Sequence, residues 1–457
     1  MDKIINYINE RKEEYIEELK EFLRIPSIST NPENKKDVRD CAVYVEKQLK
    51  EIGLENVKIY ETAGHPVVYG DWLNAGKDKT TILIYGHYDV QPVDPIELWT
   101  DPPFEPAIRG DNIYARGSAD DKGQVFIHMK SIQAHLVNNK SLPVNIKFLI
   151  EGEEEIGSEN LDTFINDNKK LLECETVVIS DTSMFDYEVP TISYGLRGLA
   201  YMQVDVTGPN RDLHSGSFGG AVDNPINALA HIICKLKNDS GKILIDGFYD
   251  DVLKLTEQER LEYSKLPFDE KKYMEGLEIE EVFGEEGFTT LERASGRPTL
   301  DCNGIWGGFQ GEGAKTVLPS KASAKISMRL VPNQEPEKIE KLFTDFVNKI
   351  APKSVKVVVK SLHGGKGAIT PIDSPAIKAA VEALKKGFGK EPVFAREGGS
   401  IPVVNTFKEL LNSPTVLLGF GLPDENAHSP DEHLNLNNFH RGILSIAHYF
   451  NELSKVK

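Results

Sequence analysis

The sequence predicts an α/β protein with a mostly parallel sheet and helices on both faces, into which a smaller α+β segment is inserted. From about residue 55 onward, short apolar runs rich in β-branched residues alternate with helical patterns. Between residues 194 and 396 this order changes to strands and helices of a split β-α-β type, and the first kind of strand then resumes. A chain of 457 residues has room for roughly two or three cores of ordinary size.

The first 54 residues are predicted to form two amphipathic helices. In the second, Cys41, Val45, Leu49 and Ile52 recur at helical spacing, and Gly53 offers a place for the helix to end.

Four apolar runs are predicted as central strands, and a glycine-containing or acidic loop follows each of them. They cover residues 81–85, 146–150, 176–180 and 415–418. Because ligand sites in open α/β sheets lie at the carboxyl ends of the strands, we expect the loops after these runs to meet in one crevice.

The inserted segment has a pattern of its own. Strands are predicted at 201–206, 325–330 and 355–360, and helices at 225–236 and 336–350. An acidic, irregular stretch from about residue 241 to 298 is predicted as an excursion from this unit. The division that follows is one domain made of residues 1–193 and 397–457, with a second domain, 194–396, between the two parts.

Composition excludes several classes of protein. Lys and Arg total 53 against 71 Asp and Glu, which gives a net charge of −18. This excess disfavours nucleic acid and anionic membranes as partners. The four cysteines are scattered without a C-x-x-C pair, so neither a disulfide scaffold nor a thiolate zinc site is expected. With no signal-peptide pattern at the N-terminus and no apolar run of about 20 residues, we expect a cytoplasmic protein.

Acidic residues and histidines lie in the loops after the four apolar runs, and in a fifth loop that opens a helix after a short strand-like run at 112–115. These side chains are His87, Asp89, Asp120, Glu153, Glu154, Glu155, Asp181 and His428. Carboxylates gathered in a cleft repel one another unless a cation compensates them. Two histidines with at least three carboxylates and no cysteine suit zinc, manganese or cobalt. The sequence therefore predicts a site for a pair of divalent ions.

Each of these signals also has an ordinary structural explanation. A lone His-x-Asp is commonly a core or surface pair, and a run such as Glu153 to Glu155 commonly forms a solvated face. Asp120 could cap a helix, and His428, followed by Ser-Pro, could belong to a turn. Their joint placement after strands favours the metal site.

Several longer motifs resemble one family of enzymes. They are HYDVQP at 87–92, Trp99 with PPF at 102–104, YGLRG at 194–198, DLHSG at 212–216, KTVLP at 315–319 and REGGSIP at 396–402. The chain resembles the dinuclear-zinc family that includes carnosinase, Cys-Gly dipeptidase, carboxypeptidase G, and the aminoacylase and succinyl-diaminopimelate desuccinylase deacylases. It is most similar to the carnosinase and Cys-Gly dipeptidase branch.

The resemblance implies a role for each metal-site residue. Asp120 would bridge two divalent ions, one completed by His87 and Asp181 and the other by Glu155 and His428. Zinc is the first choice of metal, with manganese or cobalt as alternatives.

The resemblance also assigns the acid–base chemistry. Glu154 would be the general base that takes a proton from water and returns it to the leaving amine. Asp89 would orient the His87 imidazole. A shift of the base by one position, to Glu153, is the alternative within this acidic run.

For the inserted domain the resemblance implies an α+β (ferredoxin-like) lid that also forms a homodimer. His214 would cross from the other protomer to stabilise the oxyanion, and Arg329 would clamp the substrate carboxylate. The remaining substrate-lining positions are Thr316, His363, Glu397 and Ser400.

The function implied is metal-dependent hydrolysis of a dipeptide or short peptide with a free carboxylate. The alternative is an N-acyl-amino-acid deacylase with the same dinuclear site, so the substrate is a dipeptide or an acyl-amino acid. A metal-binding scaffold without activity would be expected to lack a ligand or the base, and the predicted set is complete.

Overall fold

The structure, a computed structural model, describes residues 1–399 and 401–456. The strands are β1 (Glu55–Tyr60), β2 (Val67–Trp72), β3 (Thr81–His87), β4 (Ala107–Arg109), β5 (Asn112–Tyr114), β6 (Asn145–Glu151), β7 (Thr176–Ile179), β8 (Thr191–Leu196), β9 (Gly198–Thr207), β10 (Leu213–His214), β11 (Thr299–Gly307), β12 (Val317–Leu318), β13 (Lys321–Leu330), β14 (Lys356–Gly365), β15 (Ala368–Ile369), β16 (Val393–Glu397), β17 (Thr415–Leu417) and β18 (His433–Asn435). The α-helices are α1 (Asp2–Glu10), α2 (Lys12–Leu23), α3 (Lys35–Glu51), α4 (Lys122–Asn139), α5 (Leu161–Asp167), α6 (Lys169–Leu172), α7 (Ser215–Phe218), α8 (Pro225–Cys234), α9 (Glu257–Lys265), α10 (Glu270–Gly276), α11 (Pro336–Ile350), α12 (Pro375–Phe388), α13 (Pro402–Leu411) and α14 (Leu436–Leu453).

The chain divides into two compact units. The first contains residues 1–194, 370–395 and 403–456, and the second contains 195–369 with 396–399 and 401–402. Residues 370–395, which include α12, fall in the first unit although the sequence division placed them in the inserted segment.

The first unit is built on a sheet with the strand order β1-β2-β6-β3-β7-β17-β8. Its centre, from β6 to β17, is parallel, whereas β1, β2 and β8 pair antiparallel at the edges. The residues of β6, β7 and β17 are buried throughout, which explains why these strands appear in the sequence as continuous apolar runs. The predicted α/β class is confirmed.

Helices cover both faces of this sheet. Alternate side chains of β3 point in opposite directions. Ile82 and Ile84 join the main core, to which α1 to α4, α12 and α14 contribute. On the other face, the Tyr85 ring packs edge-on against Phe407 of α13, with the ring centroids 5.4 Å apart.

The N-terminal segment differs from its prediction, because it contains three helices rather than two. The first helical pattern breaks at Arg11, between α1 and α2. No glycine or proline lies between residues 2 and 23, so the sequence carries no local signal for this break.

The second unit contains an antiparallel sheet with the order β11-β13-β9-β14. Side chains of β9 alternate between buried and half-buried, and its buried side joins α8 and α11 in a separate core. The sheet contains two β-α-β units, β9-α8-β11 and β13-α11-β14. In each unit a further strand lies between the two strands, so the split β-α-β prediction is confirmed. Strand β11 was not predicted, since most of its residues are exposed and it lacks a clear apolar alternation.

The acidic stretch 241–298 also contains regular structure. It includes α9, α10 and a π-helical turn at Glu292–Gly296. Helix α9 begins with a capping box in which the Thr256 hydroxyl and the Glu259 carboxylate each accept a hydrogen bond from the other's backbone amide.

Candidate dinuclear metal centre

The acidic residues and histidines predicted from the loops lie together in the first unit. His87 ends β3, Glu154 and Glu155 follow β6, and Asp181 follows β7. Asp120 precedes α4, and His428 lies between β17 and β18. Because β3, β6, β7 and β17 run parallel, their carboxyl ends share one edge of the sheet.

One group of donors is formed by His87, Asp120 and Asp181. The Nε2 atom of His87 lies 3.0 Å from Oδ1 of Asp120 and 3.8 Å from Oδ2 of Asp181. One donor atom from each of the three residues lies within 4.8 Å of the other two. A single ion could therefore contact all three side chains.

A second group is formed by Asp120, Glu155 and His428. The Nε2 atom of His428 lies 2.9 Å from Oδ2 of Asp120 and 3.1 Å from Oε2 of Glu155, and these donors also lie within 4.8 Å of one another. Asp120 directs one carboxylate oxygen toward each histidine, so this carboxylate is shared by the two groups.

The electrostatics of the two groups favour added positive charge. Burial and the neighbouring Asp120 raise the pKa of Asp181 to about 7. Hydrogen bonds to Asp120 and Glu155 raise the pKa of His428 to about 10. Nitrogen and carboxylate oxygen donors without thiolates fit divalent zinc, manganese or cobalt.

Asp89 contacts His87 and also organises the following acidic loop. Its Oδ1 lies 3.4 Å from Nδ1 of His87. Its two oxygens accept hydrogen bonds from the backbone amides of Glu154 and Glu155, at 3.3 and 3.1 Å. Both the Asp89 and the His87 side chains are fully buried. The same His87 Nδ1 lies 3.1 Å from the backbone carbonyl oxygen of Asp89, so Asp89 positions the imidazole through its backbone and its carboxylate, and the carboxylate also holds the two glutamate amides.

Glu153 and Glu154, the two residues that the sequence offers as the base, have different surroundings. Both carboxylate oxygens of Glu153 accept hydrogen bonds from Asn160 Nδ2, at 3.1 and 3.0 Å, which occupies this side chain outside the donor groups. Burial raises the pKa of Glu154 well above its ordinary value, and the charges of Asp181 and Asp120 act in the same direction. Glu154 is thus partly buried beside the donor groups, within the field of the Asp181 and Asp120 carboxylates.

Sequence reasoning missed a buried carboxylate, Glu432, which holds the Asp120 loop. Its Oε1 accepts hydrogen bonds from the amides of Ala119 and Asp120, at 3.0 and 3.2 Å. Its Oε2 accepts from the Gly117 amide at 3.0 Å and from Arg116 Nη1 at 2.6 Å. More than 300 residues separate Glu432 from this loop, so no local pattern could reveal the pairing.

Two further polar side chains near the centre were also not singled out. Gln91 donates a hydrogen bond from Nε2 to Oε2 of Glu155 at 2.7 Å, and the HYDVQP motif did contain this residue. Glu151, at the end of β6, accepts hydrogen bonds from the Tyr85 and Ser158 hydroxyls at 2.5 and 2.9 Å. Burial raises the pKa of Glu151 to about 8.

The second unit contains four of the predicted substrate residues, His214, Thr316, Arg329 and His363. His214 pairs with Val317 across β10 and β12, which places it beside Thr316, and its Nδ1 accepts a hydrogen bond from the Gly216 amide. Arg329 in β13 and His363 in β14 lie on the two strands that flank β9.

The other two predicted substrate residues are Glu397 and Ser400. Glu397 ends β16, and Arg197 donates a hydrogen bond from Nε to the carbonyl oxygen of the next residue, Gly398, at 3.0 Å. Ser400 lies outside the described residues.

Within residues 1–399 and 401–456, no helix combines the length and apolar character required to cross a membrane.

An α/β sheet that presents two histidine and carboxylate groups at the carboxyl ends of its parallel strands is the architecture of a metal-dependent hydrolase. Residues 83–452 match the sequence model of Peptidase family M20/M25/M40. The chain belongs to this family.

Individual relatives match the whole chain. The Cys-Gly metallodipeptidase of Schizosaccharomyces pombe is 34% identical and covers 100% of this chain and 99% of its own. The human Beta-Ala-His dipeptidase is 32% identical over 100% of this chain and 93% of its own. Among solved structures, an M20 family metallo-carboxypeptidase from Sulfolobus solfataricus superimposes with a TM-score of 0.84 at 34% identity, over 97% of this chain and 100% of that one. The resemblance to the carnosinase and Cys-Gly dipeptidase branch is confirmed.

Proposed function

We propose that the protein hydrolyses the peptide bond of dipeptides, or of short peptides with a free carboxylate, with two divalent metal ions. The observation that carries this proposal is the shared carboxylate of Asp120, one oxygen of which faces each histidine-containing group. The named activities of the relatives support the substrate class: they are dipeptidases of Cys-Gly and Beta-Ala-His, and a carboxypeptidase.

The donor groups suggest how the ions would be held. His87 and Asp181 would complete one site and Glu155 and His428 the other, with Asp120 in both. We propose zinc as the metal, with manganese and cobalt as alternatives, because all three accept nitrogen and oxygen donors. When bound, such ions polarise the scissile carbonyl and lower the pKa of the attacking water.

Glu154 would be the general base. It would take the proton of the attacking water and then donate it to the amine nitrogen as the peptide bond breaks. Asp89 would keep the His87 ring and the Glu154 backbone in place during the cycle through the contacts described above.

The second unit would supply the substrate contacts. We propose that Arg329 binds the free carboxylate of the substrate through its guanidinium. The same role of lining the substrate would belong to Thr316, His363, Glu397 and Ser400. His214 would stabilise the oxyanion from the other protomer of a homodimer.

These roles define the proposed organisation of the molecule. The first unit would be the catalytic domain, and the second a lid through which two chains form a homodimer. We propose a cytoplasmic location, because the four scattered cysteines suit a reducing compartment.

A substrate panel with defined metals tests the proposed function. The full chain is treated with a chelator, reloaded with zinc, manganese or cobalt, and assayed on Cys-Gly, β-Ala-His, their C-terminal amides, and N-acetyl and N-succinyl amino acids. We expect turnover of free dipeptides and much weaker turnover of the amides, with two ions bound per chain.

The control variant is Glu154→Ala, which should keep the bound metal and lose turnover. Turnover of the N-acyl amino acids with none of any dipeptide would replace the dipeptidase by the deacylase. An active Glu154→Ala protein would remove Glu154 from the mechanism.

A further inference from the structure

The acidic stretch 241–298, which we call the acidic insertion, has no part in the chemistry proposed above. It nevertheless contacts the segment 396–399 at two points, and all of these residues belong to the second unit. That segment carries Glu397, for which we proposed a substrate contact.

The first contact is an ion pair between the Arg396 guanidinium and the Glu259 carboxylate. The two side chains are 8% and 14% exposed, so water screens this pair much less than an exposed one. The aliphatic part of Arg396 passes over Gly195, where an added Cβ would lie 3.1 Å from its Cγ atom. The Arg396 side chain is therefore held both at its aliphatic part and at its guanidinium.

Glu259 is itself held by the start of α9. Its Oε2 accepts hydrogen bonds from the backbone amide and the hydroxyl of Thr256, at 2.8 and 3.0 Å. Its other oxygen, Oε1, faces Arg396. One carboxylate thus caps the helix and fixes the arginine, which sets the position of residue 396 relative to α9.

The second contact is made at Gly398. A Cβ atom there would lie 3.3 Å from the carbonyl oxygen of Ala294, in the π-helical turn, and 3.1 Å from Nη2 of Arg197. Arg197 binds the same segment from the other direction, through Nε to the Gly398 oxygen at 3.0 Å and through its amide to the Gly399 oxygen at 3.1 Å. The segment therefore passes between Arg197 and the acidic insertion.

The two contacting parts of the insertion are fastened to each other. Arg260 of α9 donates hydrogen bonds from Nη1 to both carboxylate oxygens of Glu292, at 3.0 and 3.2 Å. The Tyr263 hydroxyl lies 2.8 Å from the Ser295 hydroxyl. Since α9 and the π-helical turn are joined in this way, they can hold residues 396 and 398 as one rigid body.

We propose that Glu259 is a positioning residue for substrate binding, which through Arg396 holds the 396–399 segment, and the Glu397 carboxylate with it, in the binding conformation. This proposal rests on the proposed function, because it takes Glu397 to contact the substrate. The acidic insertion then determines the geometry of a substrate loop although none of its own side chains takes part in the reaction.

Steady-state kinetics and hydrogen exchange together test the proposal. Glutamine at position 259 can still cap α9 but cannot form the ion pair. We expect Glu259→Gln to raise KM about tenfold and to change kcat less than about twofold, since substrate positioning is affected and the base is not. In the same variant, without substrate, a peptide covering residues 394–402 should exchange faster than in the wild type. Metal content should stay at the wild-type value.

The control is Glu257→Gln, in the first turn of the same helix, whose side chain is exposed. It should match the wild type in both measurements. A double-mutant cycle adds a second criterion: if Glu259 acts through Arg396, adding Glu259→Gln to Arg396→Met should change KM less than about twofold.

The outcomes separate this proposal from the proposed function. Unchanged hydrogen exchange at 394–402 in Glu259→Gln would show that Glu259 does not hold this segment. That result would overturn the proposal whether or not the enzyme cleaves dipeptides. Faster exchange with unchanged KM would also overturn it, because the segment would then not position substrate. If the wild type cleaved only acyl-amino acids, the proposed function would fail, and the same KM comparison on that substrate would still decide the role of Glu259.

Discussion

Replacing Glu432 tests whether a buried carboxylate far away in the sequence shapes the metal centre. Glu432 is fully buried and accepts hydrogen bonds from Arg116 Nη1 and from the amides of Gly117, Ala119 and Asp120, at distances of 2.6 to 3.2 Å. Glu432→Ala removes both acceptor oxygens and with them all four hydrogen bonds. Glu432→Gln keeps one oxygen and removes the charge.

The expected loss of folding free energy follows from the contacts that each substitution removes. The Arg116 guanidinium is 1% exposed. In Glu432→Ala it keeps its hydrogen bond to the Pro92 carbonyl oxygen but loses its counter-ion. Breaking a buried ion pair in this way costs about 3–5 kcal/mol. Orphaned buried amides cost about 1–3 kcal/mol each where water cannot reach them. Because these costs are not additive, we expect a total of about 5 kcal/mol for Glu432→Ala and about half of that for Glu432→Gln.

Urea unfolding of the chelator-treated protein, followed by circular dichroism, measures this loss, and a competition titration measures metal affinity. We expect both variants to bind metal more weakly, because the Asp120 backbone loses its anchor. The control is Asp424→Asn, in the same loop but exposed. If Glu432→Ala unfolded within about 1 kcal/mol of the wild type and bound metal equally well, the anchoring argument would be wrong.

Four further outcomes follow from the site and its surroundings. Glu154→Ala should lower kcat by about a hundredfold or more at unchanged metal content, and an equally large rise in KM alone would contradict its role as base. Chelation should abolish turnover and lower the melting temperature, and zinc, manganese or cobalt should restore both. A ligand at 100 times its Kd stabilises the folded protein by about 2.7 kcal/mol. Activity that resists the chelator would count against a role of metal ions. Gly123→Ala would place a Cβ 2.0 Å from the Ser118 carbonyl oxygen, so we expect destabilisation of about 3 kcal/mol in thermal unfolding, and a neutral result would show that this turn can relax. Mixing inactive His214→Ala and Glu154→Ala chains should restore partial activity if His214 acts on the partner's site, whereas verified mixed dimers without activity would exclude that arrangement.

Much of the fold was predictable because its signals are local. Central strands of a parallel sheet are buried on both faces and therefore appear as apolar runs, as in β6 and β7. The edge strand β11 is mostly exposed and has no such pattern. The break at Arg11 has no local breaker, so tertiary packing must decide where α1 ends.

The candidate site shows the same division. His87, Asp120, Asp181 and His428 were predictable because each follows a strand or opens a helix, and strand order brings loop ends together. For Glu153 and Glu154, only the folded structure shows that Asn160 donates hydrogen bonds to both carboxylate oxygens of Glu153. A run of three glutamates does not contain that information.

The sequence by itself determined the fold class, the donor types and their attachment to strand ends, because these depend on burial patterns and on residue chemistry within short windows. Only the tertiary structure decided which partners fix those donors. Glu432 meets the Asp120 backbone across more than 300 residues, and Glu259 meets Arg396 across 137. In each pair a charged side chain is largely removed from water by packing, and it must then find a hydrogen-bonding or charged partner inside the fold.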